Sequence, residues 1–362
     1  MKKRRVCILY GGRSGEHEVS QRSAASVARN LDRDKYDIVL IGIDKQGVWH
    51  YQENADELIG GDVLKIYETS GDRVSIVPGD GLYLGDDRIK VDIVFPVLHG
   101  SFGEDGTVQG LLELADIPYV GAGVLGSALG MDKEKSKTIW QHYGLPVVPF
   151  LSVRKEELGK KVSTEEIAEK AIAELGLPLF VKPSGIGSSV GITKVLRKED
   201  IDSALDKALL YDTKVLIEKC IKGREVECSV MGNSNPRSFP PGEIVPRHEF
   251  YSYEAKYIDP EGAELIIPAR ITEEQAELVQ SLAVQAFKLA EVEGFARVDF
   301  FVEQPSDKVY VNEINTIPGF TSISMFPRMC NAAGFSYRAI IETLLELGFE
   351  RFKDRRSLKY SL

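Results

Sequence analysis

The segment FVKPSGIGSSVGITKV, residues 180–195, is a glycine- and serine-rich loop in which the lysine precedes the glycines. A P-loop has the order G-x-x-x-x-G-K-[ST], because its backbone N–H groups surround the phosphates and its lysine then reaches the terminal ones. This order excludes a P-loop. Either the segment is an ordinary turn, or phosphate is bound in another geometry by Lys182, Gly185, Gly187, Ser188 and Ser189.

The first third of the chain alternates strand and helix patterns. Apolar VCILY ends at Gly11-Gly12, a helix is predicted from Ser14, and YDIVLIGI and VDIVFPVL are typical of buried strands. These patterns predict an open α/β sheet, in which ligands bind beyond the carboxyl ends of the strands. The segments GGRSGEHEVS and HGSFGEDG both follow such ends. Residues 50–90 are acidic and weakly periodic, which indicates an insertion.

Two further units follow. STEEIAEKAIAELG predicts a helix with a capping box from Ser163 to Glu166, and PLFVKP and KVLIEKCI predict strands. A long amphipathic helix with its own box, Thr272 to Gln275, precedes FARVDFF and KVYVNEIN. The short link VEQPSD between these two strands predicts an antiparallel hairpin.

Composition narrows the class of protein. A chain of 362 residues predicts two or three domains, and 43% hydrophobic residues suffice for their cores. The net charge of -10 argues against nucleic-acid binding, and no apolar run is long enough for a membrane span. The opening MKKRRVCILYGG fits a first strand better than a signal peptide. The four cysteines have no disulfide or zinc spacing, which is typical of reduced thiols in a cytoplasmic protein.

The predicted hairpin carries a candidate metal site. Side chains two apart in a strand share a face, so Glu313 and Asn315 point the same way, and the partner strand could bring Asp299 opposite them. Magnesium prefers such oxygen ligands. The alternative is a solvated hairpin face, which the apolar neighbours in RVDFF and VYVNEI make less attractive because they are typical of interior strands.

Taken in order, these segments resemble a known superfamily. Lys133 in MDK, Lys182 before its Gly/Ser loop, LIEKCIKGRE and NEINTIPGF resemble the ATP-grasp superfamily, in which the loop is a flap over the nucleotide and the lysine therefore precedes it. Within it, the chain resembles the D-alanine–D-alanine ligase family. The matching segments are GGRSGEHEVS, HGSFGEDGTVQGLLELADIPYVG, GSALGMDK, KPSGIGSSVG, FYSYEAKY, ARVDFF and NEINTIPGFTSIS.

The resemblance implies a fold class of α/β and α+β units: an N-terminal open α/β substrate domain (1–125), then a two-domain ATP-grasp fold with a central domain (126–216) and a C-terminal domain (217–362). It also implies a cytoplasmic homodimer. The implied reaction consumes ATP with two Mg²⁺ ions, for which Mn²⁺ can substitute. One D-alanine becomes an acyl phosphate and a second, at its own site, opens it to D-alanyl-D-alanine.

The residues that the resemblance assigns to ATP and metal fall into three sets. A carboxylate that attacks a polyphosphate needs cations, and these are Lys133, Lys182 and Lys256. The flap contributes Ser189, and the hinge contributes Glu218, Lys219 and Ile221 to adenine and Glu225 to ribose, although a plain strand end explains the hinge equally. The metal ligands are Asp299, Glu313 and Asn315.

The resemblance also assigns the substrate residues. Glu16 receives the ammonium of the first D-alanine, although a glutamate in a first helical turn is also favoured by the helix dipole. Arg297 and the Gly319 N–H form an oxyanion hole. Ser324, alternatively a helix cap, holds the carboxylate of the second D-alanine. Tyr257, alternatively a packing residue, is linked to Ser188 and Glu16. His99 lies at a strand end nearby and is left out as structural.

Three other functions compete with this hypothesis. A D-alanine–D-lactate ligase shares every ATP residue but makes an ester. A catalytically silent nucleotide-binding regulator would have lost Glu16, Arg297 or a metal ligand, and all are present. A dehydrogenase is excluded because GGRSGE lacks the G-x-G-x-x-G glycines.

Overall fold

The computed structural model describes residues 3–69, 71–188, 190–247 and 262–359. The strands, in chain order, are β1 (Arg4–Gly11), β2 (Tyr36–Ile43), β3 (Trp49–Gln52), β4 (Val74–Val77), β5 (Gly81–Leu84), β6 (Asp87–Ile89), β7 (Ile93–Val97), β8 (Phe150–Arg154), β9 (Leu179–Pro183), β10 (Thr193–Val195), β11 (Lys214–Lys219), β12 (Gly223–Gly232), β13 (Arg237–Ser238), β14 (Gly242–Pro246), β15 (Ala263–Ile266), β16 (Gly294–Glu303) and β17 (Val309–Asn315).

The α-helices of the same ranges are α1 (His17–Asn30), α2 (Ala55–Leu58), α3 (Thr107–Leu114), α4 (Val124–Met131), α5 (Lys133–His142), α6 (Thr164–Leu175), α7 (Ile201–Ala208), α8 (Glu273–Leu289), α9 (Met325–Ala332) and α10 (Tyr337–Arg356). Within the described ranges, none of these helices has both the length and the apolar character needed to cross a membrane.

The N-terminal sheet has the order β3-β2-β1-β7, with β2, β1 and β7 parallel, which confirms the predicted open α/β sheet. The carboxyl ends of β1 and β7 are adjacent, so residues 12–16 and 98–104 lie side by side at one edge. Helix α1 begins at His17, later than the predicted Ser14, because Ser14 is used as a loop residue: its hydroxyl accepts from Glu16 N and donates to His99 O. The 50–90 insertion forms the small sheet β4-β5-β6.

A second sheet has the order β10-β9-β11-β8 and is antiparallel throughout. Helices α6 and α7 bury their apolar faces against it, in a core that includes Ala171 and Leu205. The predicted capping box at the start of α6 is present, with both reciprocal bonds between Ser163 and Glu166. The loop after β9 therefore extends from a firmly packed sheet.

The third sheet has the order β15-β14-β12-β16-β17, with β13 on β12. The predicted hairpin is confirmed as the antiparallel pair β16–β17, and the predicted capping box of α8 joins Thr272 and Gln275. Helix α8 packs on this sheet, where Ala283 and Phe287 are fully buried.

The N-terminal and third sheets share one hydrophobic core, through the loop between β17 and α9. Phe320 in that loop stacks edge-on against Phe95 of β7 at 5.9 Å and against Phe295 of β16 at 5.7 Å. Helix α10 closes the core with Ile340, Ile341, Leu344 and Leu345, all fully buried. The loop is thus fixed between two sheets.

Candidate active site

A cavity of about 830 Å³ lies where the N-terminal sheet, the flap after β9 and the third sheet meet. It brings together residues that are far apart in the sequence and that the sequence analysis had singled out. Those lining it are Glu16, Ser188, Glu225, Arg297, Asp299, Glu313, Asn315, Gly319 and Ser324. The predicted residues Lys133, Lys182, Glu218, Lys219 and Ile221 do not line it. Ser189, Lys256 and Tyr257 lie outside the described residues.

One corner of the cavity is built around Glu16, which occupies the N-cap position of α1 and is 9% exposed. The Ser188 hydroxyl of the flap donates to its carboxylate. Gly100 presses against the same carboxylate, since a Cβ built on it would lie 2.7 Å from Glu16 Oε2. This corner therefore presents a buried carboxylate that suits an ammonium group.

Beside this corner, the loop of residues 98–104 contributes two buried groups that the sequence analysis did not assign. Glu104 accepts from Gly100 N at 3.0 Å and from Ile317 N at 3.1 Å. Burial, followed by the nearby Glu16 charge, raises the pKa of Glu104. Burial lowers the pKa of His99, which keeps its imidazole neutral. The only sequence signal for these two residues was their position in HGSFGEDG after a strand.

The metal-ligand candidates share one face of the hairpin, as predicted. Asp299 is opposite Glu313, Arg297 is opposite Asn315, and the amide of Asn315 donates to Asp299 at 3.1 Å. The register shifts between Asp299 and Phe300: Phe300 pairs with Val311 and Asp299 with Glu313, so Asn312 is the extra residue of a β-bulge. The bulge turns Asn312 to the same side as Glu313, where both line the cavity.

Arg297 is held by carboxylates at the floor of the cavity. Its guanidinium makes two bonds of 2.7 Å to Asp299, and its Nε lies 3.1 Å from Glu227 of β12. A fork of this kind fixes the plane of the guanidinium. The guanidinium is therefore held in a fixed orientation, and Arg297 and Gly319 both line the cavity.

A cluster of two lysines and one glutamate lies under the flap, in the second sheet. Lys182 of β9 and Lys137 of α5 approach the two Glu218 carboxylate oxygens at 2.6 and 2.8 Å. Burial works to raise the pKa of Glu218, but the two ammonium groups outweigh it and the net shift is downward. Burial lowers the pKa of Lys137 to about 8. The sequence analysis missed Lys137, which is fully buried although its helix looks polar.

This lysine cluster is joined to the hairpin by the bulge. The side-chain amide oxygen of Asn312, Oδ1, lies 3.4 Å from both Lys137 Nζ and Lys182 Nζ. Lys133, at the start of α5, donates to Ile186 O in the flap at 2.9 Å and lies 3.6 Å from Glu313. These contacts connect the buried lysine cluster and Lys133 to the hairpin that carries Glu313.

The remaining hinge and substrate candidates are placed as follows. The Glu218 side chain points to the two lysines, and its backbone lies in β11 opposite Phe150 of β8 and Phe180 of β9. Lys219 lies 3.6 Å from Glu303, and Ile221 is buried just before β12. Ser324 is the N-cap residue of α9, but its hydroxyl accepts from Thr321 N at 3.0 Å and faces the cavity.

Comparison with known proteins gives the same result along the whole chain. The family model "D-ala D-ala ligase N-terminus" matches residues 5–122, and "D-ala D-ala ligase C-terminus" matches residues 139–346. Among curated relatives, a D-alanine–D-alanine ligase of Treponema denticola is 46% identical over 98% of both chains. One of Shouchella clausii is 45% identical over 100% of this chain and 99% of its own.

Solved structures resemble the fold equally well. The D-alanine–D-alanine ligase of Coxiella burnetii superimposes with a TM-score of 0.86 at 35% identity and covers 99% of this chain and 97% of its own. The VanG D-Ala:D-Ser ligase of Enterococcus faecalis gives 0.84 at 38% identity, covering 96% of this chain and 100% of its own.

Proposed function

Since the chain belongs to the D-alanine–D-alanine ligase family, it is an ATP-dependent ligase that forms D-alanyl-D-alanine for peptidoglycan, and we propose how its residues divide that work. The observation that carries the division is the single cavity that joins Glu16, the hairpin face and Gly319. We take the chain as three units, residues 1–125, 126–216 and 217–362, that meet at this cavity.

The first D-alanine binds with its ammonium on Glu16. Ser188 of the flap touches the same carboxylate, so the flap closes against the bound amino acid. A carboxylate oxygen of this D-alanine then attacks the γ-phosphorus of ATP, the bond to the β–γ bridging oxygen breaks, and ADP leaves. The product of this step is D-alanyl phosphate.

The lysines reduce the repulsion between the attacking carboxylate and the polyphosphate. Lys182 is paired with Glu218 and would turn to the phosphates as they enter, while Lys133 is already in contact with the flap. Lys256 and Ser189 complete the set on the sequence resemblance alone. The hinge residues Glu218, Lys219 and Ile221 receive adenine, and Glu225 receives the ribose hydroxyls.

The family's reaction generally requires a divalent metal, and the hairpin face fits one. Asp299, Glu313 and Asn315 offer oxygen atoms from adjacent register positions and line the cavity together. Carboxylate and amide oxygens are the ligands that Mg²⁺ prefers, and Mn²⁺ accepts the same set. When bound, two such ions would neutralise the phosphate charge. Glu313, opposite Asp299 and 3.6 Å from Lys133, would be one of the ligands.

The second D-alanine binds with its carboxylate on Ser324. Its neutral amine attacks the carbonyl carbon of the acyl phosphate, the bond from that carbon to the phosphate oxygen breaks, and the proton that the amine loses leaves with the phosphate. Arg297 and the Gly319 N–H stabilise the oxyanion formed on the way. Tyr257 is assigned to the entrance of this second site. We also propose a cytoplasmic location, since ATP is a cytoplasmic substrate and Cys7, Cys220, Cys228 and Cys330 are free thiols. The homodimer is proposed on the sequence resemblance alone.

The test is phosphate release from ATP with D-alanine, L-alanine, D-lactate and D-serine, alone and in pairs, with the product identified by mass spectrometry. D-Serine is included because a D-Ala:D-Ser ligase is among the similar structures. We expect D-alanyl-D-alanine to dominate when D-alanine is present. Preferential formation of the ester, or of D-alanyl-D-serine from an equal mixture, would reassign the second site.

A further inference from the structure

The loop that carries Gly319 is held from the opposite sheet by buried side chains for which the reaction gives no role. Glu104 accepts from Ile317 N at 3.1 Å, and His99 Nδ1 lies 2.9 Å from Ile317 O. Ser23 of α1 accepts from Phe320 N at 3.3 Å. The peptide groups on both sides of Gly319 are therefore bonded to the N-terminal unit.

The hydrogen-bond directions in this group are consistent. A neutral His99 with the proton on Nδ1 donates to Ile317 O, and its Nε2, 3.1 Å from Ser23 Oγ, then accepts from the serine hydroxyl. That hydroxyl oxygen still accepts from Phe320 N. The lowered pKa of His99, caused by burial, favours this neutral form.

The same loop reaches the corner that we assign to the first D-alanine. Gly100 N donates to Glu104, while the Gly100 α-carbon packs against Glu16. The Ser14 hydroxyl donates to His99 O and accepts from Glu16 N. A displacement of Glu104 would therefore reach both Glu16 and Gly319.

We propose that Glu104 is a positioning residue that fixes the distance between the first-substrate carboxylate, Glu16, and the oxyanion donor, Gly319. The inference rests on the roles proposed above for Glu16 and Gly319. It assigns to Glu104 no contact with substrate. We call the connection formed by Ser23, His99 and Glu104 the oxyanion-loop latch.

Burying a carboxyl group is energetically unfavourable, so a buried glutamate is expected to have a function at this position. Burying a charged group is unfavourable unless it is paired or hydrogen-bonded, and an apolar residue would pack at this position without that cost. Glu104 uses a separate oxygen for each N–H group, Oε2 for Gly100 N and Oε1 for Ile317 N. Arg297 and Glu16 are the charged groups that face it, with opposite effects on its pKa.

The test compares Glu104→Gln with Asp105→Asn. Asp105 is the neighbouring carboxylate of the same turn, but its bonds go to Phe102 N and Thr107 N within the turn itself. Both substitutions replace a carboxyl group by an amide of nearly the same shape. In Glu104→Gln, the amide oxygen can accept from one of the two N–H groups, while its NH₂ faces the other.

We expect Glu104→Gln to lower kcat for dipeptide formation by about 10- to 100-fold, because a small misplacement of a catalytic donor has effects of this size. The KM for ATP should stay within about twofold, and the melting temperature should fall no further than that of Asp105→Asn. Asp105→Asn should keep kcat near the wild-type value. Ser23→Ala, at the other end of the latch, should lower kcat by about 3- to 10-fold with the same unchanged KM for ATP.

The outcomes separate the possible errors. If the wild-type enzyme makes dipeptide but Glu104→Gln retains its kcat, or if Asp105→Asn loses as much, the latch is wrong and the proposed function stands. If Glu104→Gln does not fold, Ser23→Ala decides by the same comparison. If the wild-type enzyme makes no dipeptide at all, the proposed function itself fails.

Discussion

Two loops face the cavity from opposite sides, and they are held by different kinds of residue. The flap, residues 184–191, has contacts at its tip from Lys133 at Ile186 O and from Glu16 at Ser188, both residues that we assign to ligands, while Asp212 holds its base at Gly185 N. The oxyanion loop, residues 316–320, is held by Glu104, His99 and Ser23, which we do not assign to ligands. Most of the flap residues that the structure describes are half-buried, while most of the oxyanion loop is buried.

This difference separates a part that must adjust from a part that must not. A flap held by ligand-binding side chains loses those contacts as ATP and D-alanine compete for them, so binding itself changes its position. A loop held by residues outside the ligand set keeps its contacts throughout the reaction. Preorganised donors are effective because they need no rearrangement in the transition state.

The largest effect on turnover is expected from a substitution outside both loops. Glu313→Gln keeps the shape of the side chain and removes a charge that we assign to metal binding. We expect kcat to fall by about 1,000-fold, while ATP binding measured without metal changes little. Near-normal phosphate release at ordinary magnesium concentrations would contradict the metal-site assignment. Hydrogen exchange of both loops should match the wild-type pattern.

The more rigid side of the cavity, where Glu104 holds the oxyanion loop, is tested most directly by Gly100→Ala, with Gly144→Ala as the control. Both glycines have a positive φ, +75° and +82°, so each alanine costs roughly 1 kcal/mol of backbone strain. Only the Cβ at position 100 meets Glu16, because Gly144 has open space around it. We expect kcat/KM for D-alanine to fall about 100-fold in Gly100→Ala alone, with similar losses of melting temperature. Equal activities of the two variants would show that the close contact between Gly100 and Glu16 does not matter for activity.

The adjustable side is tested by Asp212→Ala. Asp212 accepts from Gly185 N at 2.7 Å at the base of the flap and has no assigned ligand role. Without this bond the flap has more freedom to lose on binding, so we expect the KM for ATP to rise by about 3- to 10-fold and kcat to stay within twofold. Asp206→Ala, on the exposed face of α7, is the control. A loss confined to kcat would mean that the flap is as rigid as the oxyanion loop.

The smallest effect is expected from pH at Lys137, in the lysine cluster under the flap, and it is an effect on stability. Burial lowers the pKa of Lys137 from 10.5 to about 8, so the folded protein binds fewer protons than the unfolded chain between these values. The free energy of unfolding of the wild-type protein should therefore rise with pH across this window, relative to Lys137→Met, by roughly 1–3 kcal/mol. Chemical denaturation at pH 7.5 and 10 measures the difference. If the stability of the wild-type protein relative to Lys137→Met fell as the pH rises, the lowered pKa of Lys137 would be contradicted.

Much of this architecture could be predicted because it depends on local patterns. The buried strands follow from their apolar runs, the capping boxes from Ser163 and Thr272, and the shared face of Asp299, Glu313 and Asn315 from the period of two. The features that could not be predicted depend on residues that are far apart in the sequence. Glu104 bonds a backbone group 213 residues away, and Lys137 is buried by a sheet that forms elsewhere in the chain.

The β-bulge at Asn312 illustrates why a regular pattern can mislead. A strand of strict period two would place Asn312 on the face opposite Glu313. The extra residue places both toward the cavity, and Asn312 thereby contacts Lys137 and Lys182. No local feature of KVYVNEIN distinguishes this strand from a regular one, so the sequence analysis overlooked Asn312.

The bulge also represents a compromise between robustness and activity. A shortened chain lacking Asn312 would restore an unbroken ladder between β16 and β17, and a sheet without an unpaired residue is the more stable arrangement. It would also remove the side chain that joins the lysine cluster to the hairpin. Regular strand pairing and the contact between the lysine cluster and the hairpin therefore make opposite demands on this position.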